Sequence, residues 1–323
     1  MTTTAPAWYR RMLPLPGSPA ANPVPATDRD AALDRFAALT ALDEGIPEAT
    51  RTRLFEPDDE ASATLVIWHG FTNAPIQFVA VAEHLRDAGY RVLLPRMPHH
   101  GLADVLTREL ARLTVDELTE QVDACVDIAA GFGAPVWVVG LSAGAGLAAW
   151  AAATRPEVSR LVLAAPLVAP KGFPLPVLRA FVRFPGAVPR FYNWWDPRAK
   201  DKLGHSPYAY PGFPLPGLFP FLHLTEALLD GSVPAGHRLE RVVLINNPCD
   251  VAIRRDAAGS FAPKVFAHQA DEVRELVVDP ALAWPHDFVD PWSPGGGTPE
   301  QVTAVLLAGL GAAEPTAGGL LTP

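Results

Sequence analysis

Three polar residues, far apart in the chain, have the types and order needed for nucleophilic catalysis: Ser142, Asp250 and His286. A serine hydroxyl is a weak nucleophile unless a base takes its proton and a third group orients that base. Ser142 sits in Gly140-Leu141-Ser142-Ala143-Gly144, a G-x-S-x-G pattern. In a chain with this many glycines and serines, chance would supply about 0.05 such matches. The pattern belongs to a sharp strand-to-helix turn in which the serine is strained and side chains two residues either side would collide with neighbours. The turn exposes the hydroxyl at a helix N-terminus, where negative charge is favoured. Asp250, in INNPCD, is the candidate acid; Asp256 lies further along, beside Arg254 and Arg255. His286, in WPHDF, is the candidate base. His268 is the other histidine beyond Asp250, but it precedes the last strand and would face the wrong edge. Such a set performs acyl transfer, which also needs two N–H donors for the developing oxyanion. Ala143, following the nucleophile, offers one. Phe71, in His69-Gly70-Phe71 at the end of an early strand, offers the other. Gly70 lets the backbone approach a substrate, and His69 is expected to shape the loop.

These residues need a scaffold, and the hydrophobic pattern predicts one. Asp28 to Leu42 has helical spacing, with Thr27 or Asp28 as cap. RTRLF (51–55) and ATLVIW (63–68) flank a Pro-Asp-Asp-Glu turn and read as an antiparallel pair. After these, strands and helices alternate. Helices are expected over 76–88, 114–130, 144–154 and 298–310. Strands are expected at 91–95, 135–140, 160–166, 241–247 and 274–279. Thr114 with Glu117 forms a capping box. The continuously apolar PVWVVG is the kind of strand that a parallel sheet buries on both faces. The expected fold class is α/β: a doubly wound, mostly parallel sheet.

The rhythm breaks between 166 and 240, which holds 13 of the 35 prolines and 12 of the 28 aromatics. This segment is too apolar for a solvated linker, so a cap over the C-terminal edge of the sheet is expected, where open α/β sheets bind ligands. Phe191, Trp194, Trp195, Tyr208 and Phe213 are its candidate substrate-lining residues, with plain cap packing as the alternative. The organisation read from the sequence is an extended arm over 1–27, a core over 28–165 and 241–312, the cap over 166–240, and a flexible tail over 313–323.

The chain has 323 residues, is 49% hydrophobic and carries a formal charge of −9. An acidic chain is a poor partner for nucleic acid. Two cysteines cannot make a disulfide framework or a Cys-rich metal site. His99-His100 with Asp104 lacks metal-ligand spacing, and no Walker or Rossmann glycine pattern occurs, so neither metal nor cofactor is expected. The N-terminus lacks the apolar core of a secretory signal, and no apolar run reaches a membrane-spanning length of about 18 residues. A cytoplasmic setting fits.

With His69-Gly70-Phe71-Thr72, Gly140-Leu141-Ser142-Ala143-Gly144, Asp250 and His286 in order, the sequence resembles the α/β-hydrolase superfamily, over about residues 50–312. More narrowly it is similar to bacterial carboxylesterases and monoacylglycerol lipases. Pro98-His99-His100-Gly101 resembles the Pro-Gly-His-Gly loop of such enzymes, with His99 in place of the first glycine. The resemblance implies a cofactor-free serine hydrolase acting on a small-molecule carboxylic ester, and the aromatic-rich cap leads to the expectation of short-to-medium acyl chains. The same residues could serve thioesters, amides or carbon–carbon bonds, and a binding module without turnover could retain the fold.

Overall fold

A computed structural model describes residues 15–17, 19–196, 206–231, 237–314 and 316–322. Eight strands form one sheet: β1 (Arg53–Phe55), β2 (Thr64–Trp68), β3 (Arg91–Leu94), β4 (Val136–Leu141), β5 (Val158–Ala164), β8 (Leu239–Asn246), β9 (Ala270–Val278) and β10 (Leu321–Thr322). Their spatial order is β1-β3-β2-β4-β5-β8-β9-β10. The six from β3 to β9 run parallel; β1 and β10 are antiparallel edges. Every residue of β2 and β4 is buried, because helices cover both faces. Helices α2 (Val79–Asp87) and α8 (Pro299–Leu310) pack together. α3 (Val115–Gly131), α4 (Ala143–Thr154) and α7 (Arg255–Phe266) also cover the sheet, and α1 (Arg29–Ala41) lies on α3. Local signals set the ends: Thr114 and Thr298 each make a complete capping box, and Gly311 ends α8 at φ 71°.

Four features differ from the sequence reading. β1 does not pair with β2; it pairs with β3, Leu54 opposite Leu93. β2 is so apolar that both its edges go to buried parallel neighbours, and the half-buried β1 suits the rim. The helix α7 has no counterpart in the sequence reading. Gly259 and Pro263 lower its propensity, and burial of Ala258, Phe261, Ala262, Val265 and Phe266 overrides them. The tail from 313 is not free, since Leu321 is buried and pairs with Val278. Two leucines near a terminus are too short a run to show periodicity. Finally, the 166–240 segment divides. Its last part is α6 (Phe219–Asp230), a crossover helix packed on α4. Before it come α5 (Leu175–Arg183) and a hairpin of β6 (Tyr192–Trp194) with β7 (Gly212–Pro214). Prolines start these helices near their first positions, where no N–H is needed.

Of the N-terminal arm, residues 1–14 and 18 lie outside the described residues. From Asn22 onward it runs extended along α3, with the Asn22 N–H on Asp123 at 2.7 Å and the Ala26 N–H on the Asp127 carbonyl at 3.0 Å. The fully buried Arg155 holds Asp123, Asp127 and Glu157 from the other side.

Candidate active site

β4 ends at Leu141 and α4 begins at Ala143, so Ser142 alone makes the turn, at φ 54°, ψ −113°. That left-handed φ is costly for a serine, and three hydrogen bonds hold it. Its N–H donates to the Ala164 carbonyl at 2.9 Å. Its carbonyl accepts from the Ala145 and Leu167 N–H groups at 3.2 and 3.0 Å. The flanking glycines are sterically required. A Cβ on Gly140 would sit 2.2 Å from the Gly144 oxygen, and one on Gly144 would sit 2.4 Å from the Trp68 oxygen and 2.5 Å from the His69 oxygen. Gly144 thus lets the first turn of α4 press against the end of β2, bringing Ala143 beside the His69-Gly70-Phe71 loop.

Around Ser142 the loops after β8 and β9 supply two partners. His286 Nε2 lies 2.9 Å from Ser142 Oγ, and His286 Nδ1 lies 2.6 Å from Asp250 Oδ2. The other carboxylate oxygen of Asp250 accepts from the N–H groups of Ala252 and Ile253 at 2.8 and 3.3 Å. Both Ser142 and Asp250 are buried. Burial alone would raise the Asp250 carboxyl, but the hydrogen bond and charge of His286 and the two N–H donors hold it below its ordinary value. Burial would lower His286, yet the Asp250 hydrogen bond and the charges of Asp287 and Asp250 raise it above a histidine's usual value. Asp256 pairs instead with Arg254 at 2.8 Å on the exposed first turn of α7, and His268 is exposed before β9.

The N–H groups of Phe71 and Ala143 have no hydrogen-bond acceptor among the described residues. The loop holding Phe71 is fixed from several directions. Gln77 accepts from the Gly70 N–H at 2.8 Å and reaches Asp287 at 3.5 Å, while Asn73 donates to Asp290 at 2.7 Å. Asn247 donates to the carbonyls of Trp284 and Pro285 at 2.9 and 3.0 Å, anchoring the approach to His286. Gln77, Asn73 and Asn247 were not singled out in the sequence; they are polar yet buried, which only tertiary contacts reveal. His69 is fully buried, and desolvation lowers it to about 3, so its ring is neutral. Nδ1–H donates to the Gly70 carbonyl at 2.9 Å and Nε2 accepts from the Met97 N–H at 3.2 Å. Both nitrogens therefore serve loop geometry. His99 takes φ 63°, the conformation a glycine would favour there, and bonds Glu117 at 3.0 Å.

The five aromatic candidates separate. Phe213 is buried with its ring 4.9 Å from Phe71, and Trp195 lies 4.7 Å from Phe213 and 6.4 Å from Phe71. Tyr208 meets Trp292, in the loop after His286, at 5.6 Å. Trp194 packs on Tyr192 at 5.1 Å, and Phe191 is exposed.

Residues 63–214 match the family described as alpha/beta hydrolase fold, a stretch that includes both glycine-bearing loops and stops before Asp250 and His286. No curated protein matches the chain. Among solved structures it is similar to one of two metagenome-derived lipolytic enzymes, at 20% identity and TM-score 0.54 over 72% of this chain and 89% of that one. It is also similar to a monoacylglycerol lipase from Paleococcus ferrophilus, at 16% identity and TM-score 0.52, over 70% and 88%. A third is Est1E from Butyrivibrio proteoclasticus, at 18% identity and TM-score 0.50, over 79% and 90%. These likenesses concern the fold.

Proposed function

The chain is an alpha/beta-hydrolase-fold protein, and on that premise we propose that it is a serine hydrolase of small carboxylic esters, working through an acyl-enzyme on Ser142. The observation that carries the reading is the unbroken chain from Asp250 through His286 to the Ser142 hydroxyl, at 2.6 and 2.9 Å. Ser142 Oγ attacks the ester carbonyl while His286 Nε2 accepts its proton. Asp250 keeps the other ring proton on Nδ1 and stabilises the imidazolium that forms. The N–H groups of Phe71 and Ala143 receive the oxyanion. His286 then protonates the departing alkoxide, activates a water against the acyl-enzyme, and returns the proton to Ser142.

The described residues of the insertion ahead of α6 serve as a cap beside Ser142. Phe71, Trp195 and Phe213 form an apolar wall that suits an uncharged acyl chain. Such a wall gains about 0.8 kcal/mol for each methylene buried. Both cysteines are free, which supports a reducing, cytoplasmic setting. Among the described residues no helix is long and apolar enough to cross a membrane.

Fluorophosphonate labelling tests the mechanism. The wild-type protein takes the probe at Ser142, and Ser142→Ala takes none and loses about 10³- to 10⁶-fold in kcat while remaining folded. Near-wild-type turnover by Ser142→Ala removes Ser142 from the mechanism. With p-nitrophenyl esters from acetate to palmitate, kcat/KM rises with chain length and then falls. A flat series, or one highest at acetate, assigns the cap aromatics to packing alone.

A further inference from the structure

The turn that carries Phe71 contains a residue in a conformation its type disfavours. The Asn73 N–H donates to the Gly70 carbonyl at 3.2 Å, closing a four-residue turn. Thr72, at the third position, has φ 65°, while Phe71 before it is not in the left-handed region. That is the pattern of a type II turn, whose third position normally goes to glycine or asparagine. A β-branched side chain there is an outlier that persists only when its surroundings enforce it.

Two donors enforce it, and both come from the insertion. The indole N–H of Trp195 donates to Thr72 Oγ1 at 2.9 Å, and the backbone N–H of Tyr210 donates to the Thr72 carbonyl at 2.8 Å. The backbone N–H of Trp195 donates to the Pro211 carbonyl at 3.1 Å, next to Tyr210, so the two donors sit on one rigid piece of the hairpin. Tyr210 is buried, and its phenol is fixed in turn: it donates to the His99 carbonyl at 3.0 Å and accepts from the Leu102 N–H at 2.9 Å. Trp195, by contrast, is 52% exposed. About half of the residue faces solvent, yet the one polar atom of its side chain is committed to the strained residue.

We propose that Trp195 is a positioning residue for the oxyanion-binding turn: its indole N–H, with the Tyr210 N–H, holds Thr72 left-handed and thereby aims the Phe71 N–H at the developing oxyanion. The proposal rests on the serine-hydrolase reading above. Were Thr72 released to an ordinary negative φ, the peptide between Phe71 and Thr72 would turn over. The adjoining peptide, which carries the Phe71 N–H, would lose its fixed direction. Donors to an oxyanion act through preorganisation, so the loss falls on the transition state and leaves ground-state binding nearly unchanged. The insertion on this account sets the rate as well as the shape of the site.

Trp195→Phe removes the N–H and keeps an aromatic ring against Phe213. Thr72→Val removes the acceptor at nearly constant shape, and it carries the test should Trp195→Phe fold poorly. Each is assayed by fluorophosphonate labelling, by kcat and KM on p-nitrophenyl butyrate, and by inhibition with an alkyl trifluoromethyl ketone, which forms an oxyanion on the serine. Each variant lowers kcat by roughly 10-fold, leaves KM within about 2-fold, and weakens the ketone by the same factor as kcat/KM. The double variant loses no more than either single one, because both break one contact. Single variants that keep kcat and ketone affinity within about 2-fold of wild type, in a wild-type protein that labels at Ser142, overturn the clamp alone. A wild-type protein that does not label at Ser142 overturns the serine-hydrolase reading and the clamp with it.

Discussion

Replacing Asp250 with asparagine changes one atom, and the surroundings dictate how the amide must sit. Asp250 Oδ1 accepts two backbone N–H bonds, from Ala252 at 2.8 Å and Ile253 at 3.3 Å. An NH₂ group cannot face two N–H donors, so the asparagine keeps its carbonyl oxygen there. Its NH₂ is then forced into the place of Oδ2, 2.6 Å from His286 Nδ1. A donor at that point needs an acceptor, so Nδ1 gives up its proton and the proton moves to Nε2. Nε2 then faces the Ser142 hydroxyl as a donor and can no longer accept its proton. The wrong tautomer removes base catalysis, and the expected loss is about 10³- to 10⁴-fold in kcat, or roughly 4–5.5 kcal/mol of transition-state stabilisation. The fold loses far less, because a charge-assisted hydrogen bond becomes a neutral one of similar shape, about 1–2 kcal/mol. Steady-state kinetics on p-nitrophenyl butyrate at pH 7, with a thermal melt alongside, separate the two. Asp256→Asn is the control; its carboxylate pairs with Arg254 on the surface, and its kcat stays near wild type. An Asp250→Asn protein within about 10-fold of wild type in kcat would refute the tautomer argument.

Two further predictions follow from the geometry. Because Asp250 and Asp287 raise His286 above its ordinary value, protonation persists to higher pH. The free-base form, and with it kcat/KM, should rise through a single ionisation whose midpoint lies above about 6.5. A pH–rate profile measures this, and a midpoint below that value contradicts the assigned environment. Gly144→Ala drives a methyl into the Trp68 and His69 carbonyls, at 2.4 and 2.5 Å. It should cost about 1–3 kcal/mol of stability and separate the Ala143 and Phe71 N–H groups, lowering kcat; urea unfolding and kinetics on the same sample check both.

Much of the scaffold was legible because its signals are local. PVWVVG followed by Gly-x-Ser-x-Gly and an alanine-rich run specifies strand, tight turn and helix: Gly140 answers to the backbone of Gly144 and Ala145 within the turn itself, although the atoms that demand a glycine at 144 belong to Trp68 and His69. Chain order then narrows the acid and base. In a doubly wound parallel sheet every strand points its C-terminal end to the same edge, so residues just after β4, β8 and β9 meet there. That geometric rule, applied to sequence position, separates Asp250 from Asp256 and His286 from His268.

Other features depend on contacts between distant segments that leave no periodic trace. β1 passes over its neighbour in sequence to pair with β3, because β2 buries both its edges. Leu321 joins the far edge through two residues of pairing, too few to read as a pattern. α7 forms despite Gly259 and Pro263 because the sheet accepts its apolar face. Within the site, Gln77, Asn73 and Asn247 look like ordinary surface polar residues in the sequence, and become loop anchors through partners more than 30 residues away, such as Trp284. The insertion is the sharpest case. Composition marks its aromatics but cannot tell Phe191 from Trp195: both are about half exposed, and the indole N–H of Trp195 holds Thr72. Side chains of one type in one short segment diverge because direction is set by the hairpin of β6 and β7 and by the loop it rests on. Residue type and spacing encode local backbone and chain order; which buried groups then face one another depends on long-range packing, and the fine geometry of the site follows from that packing.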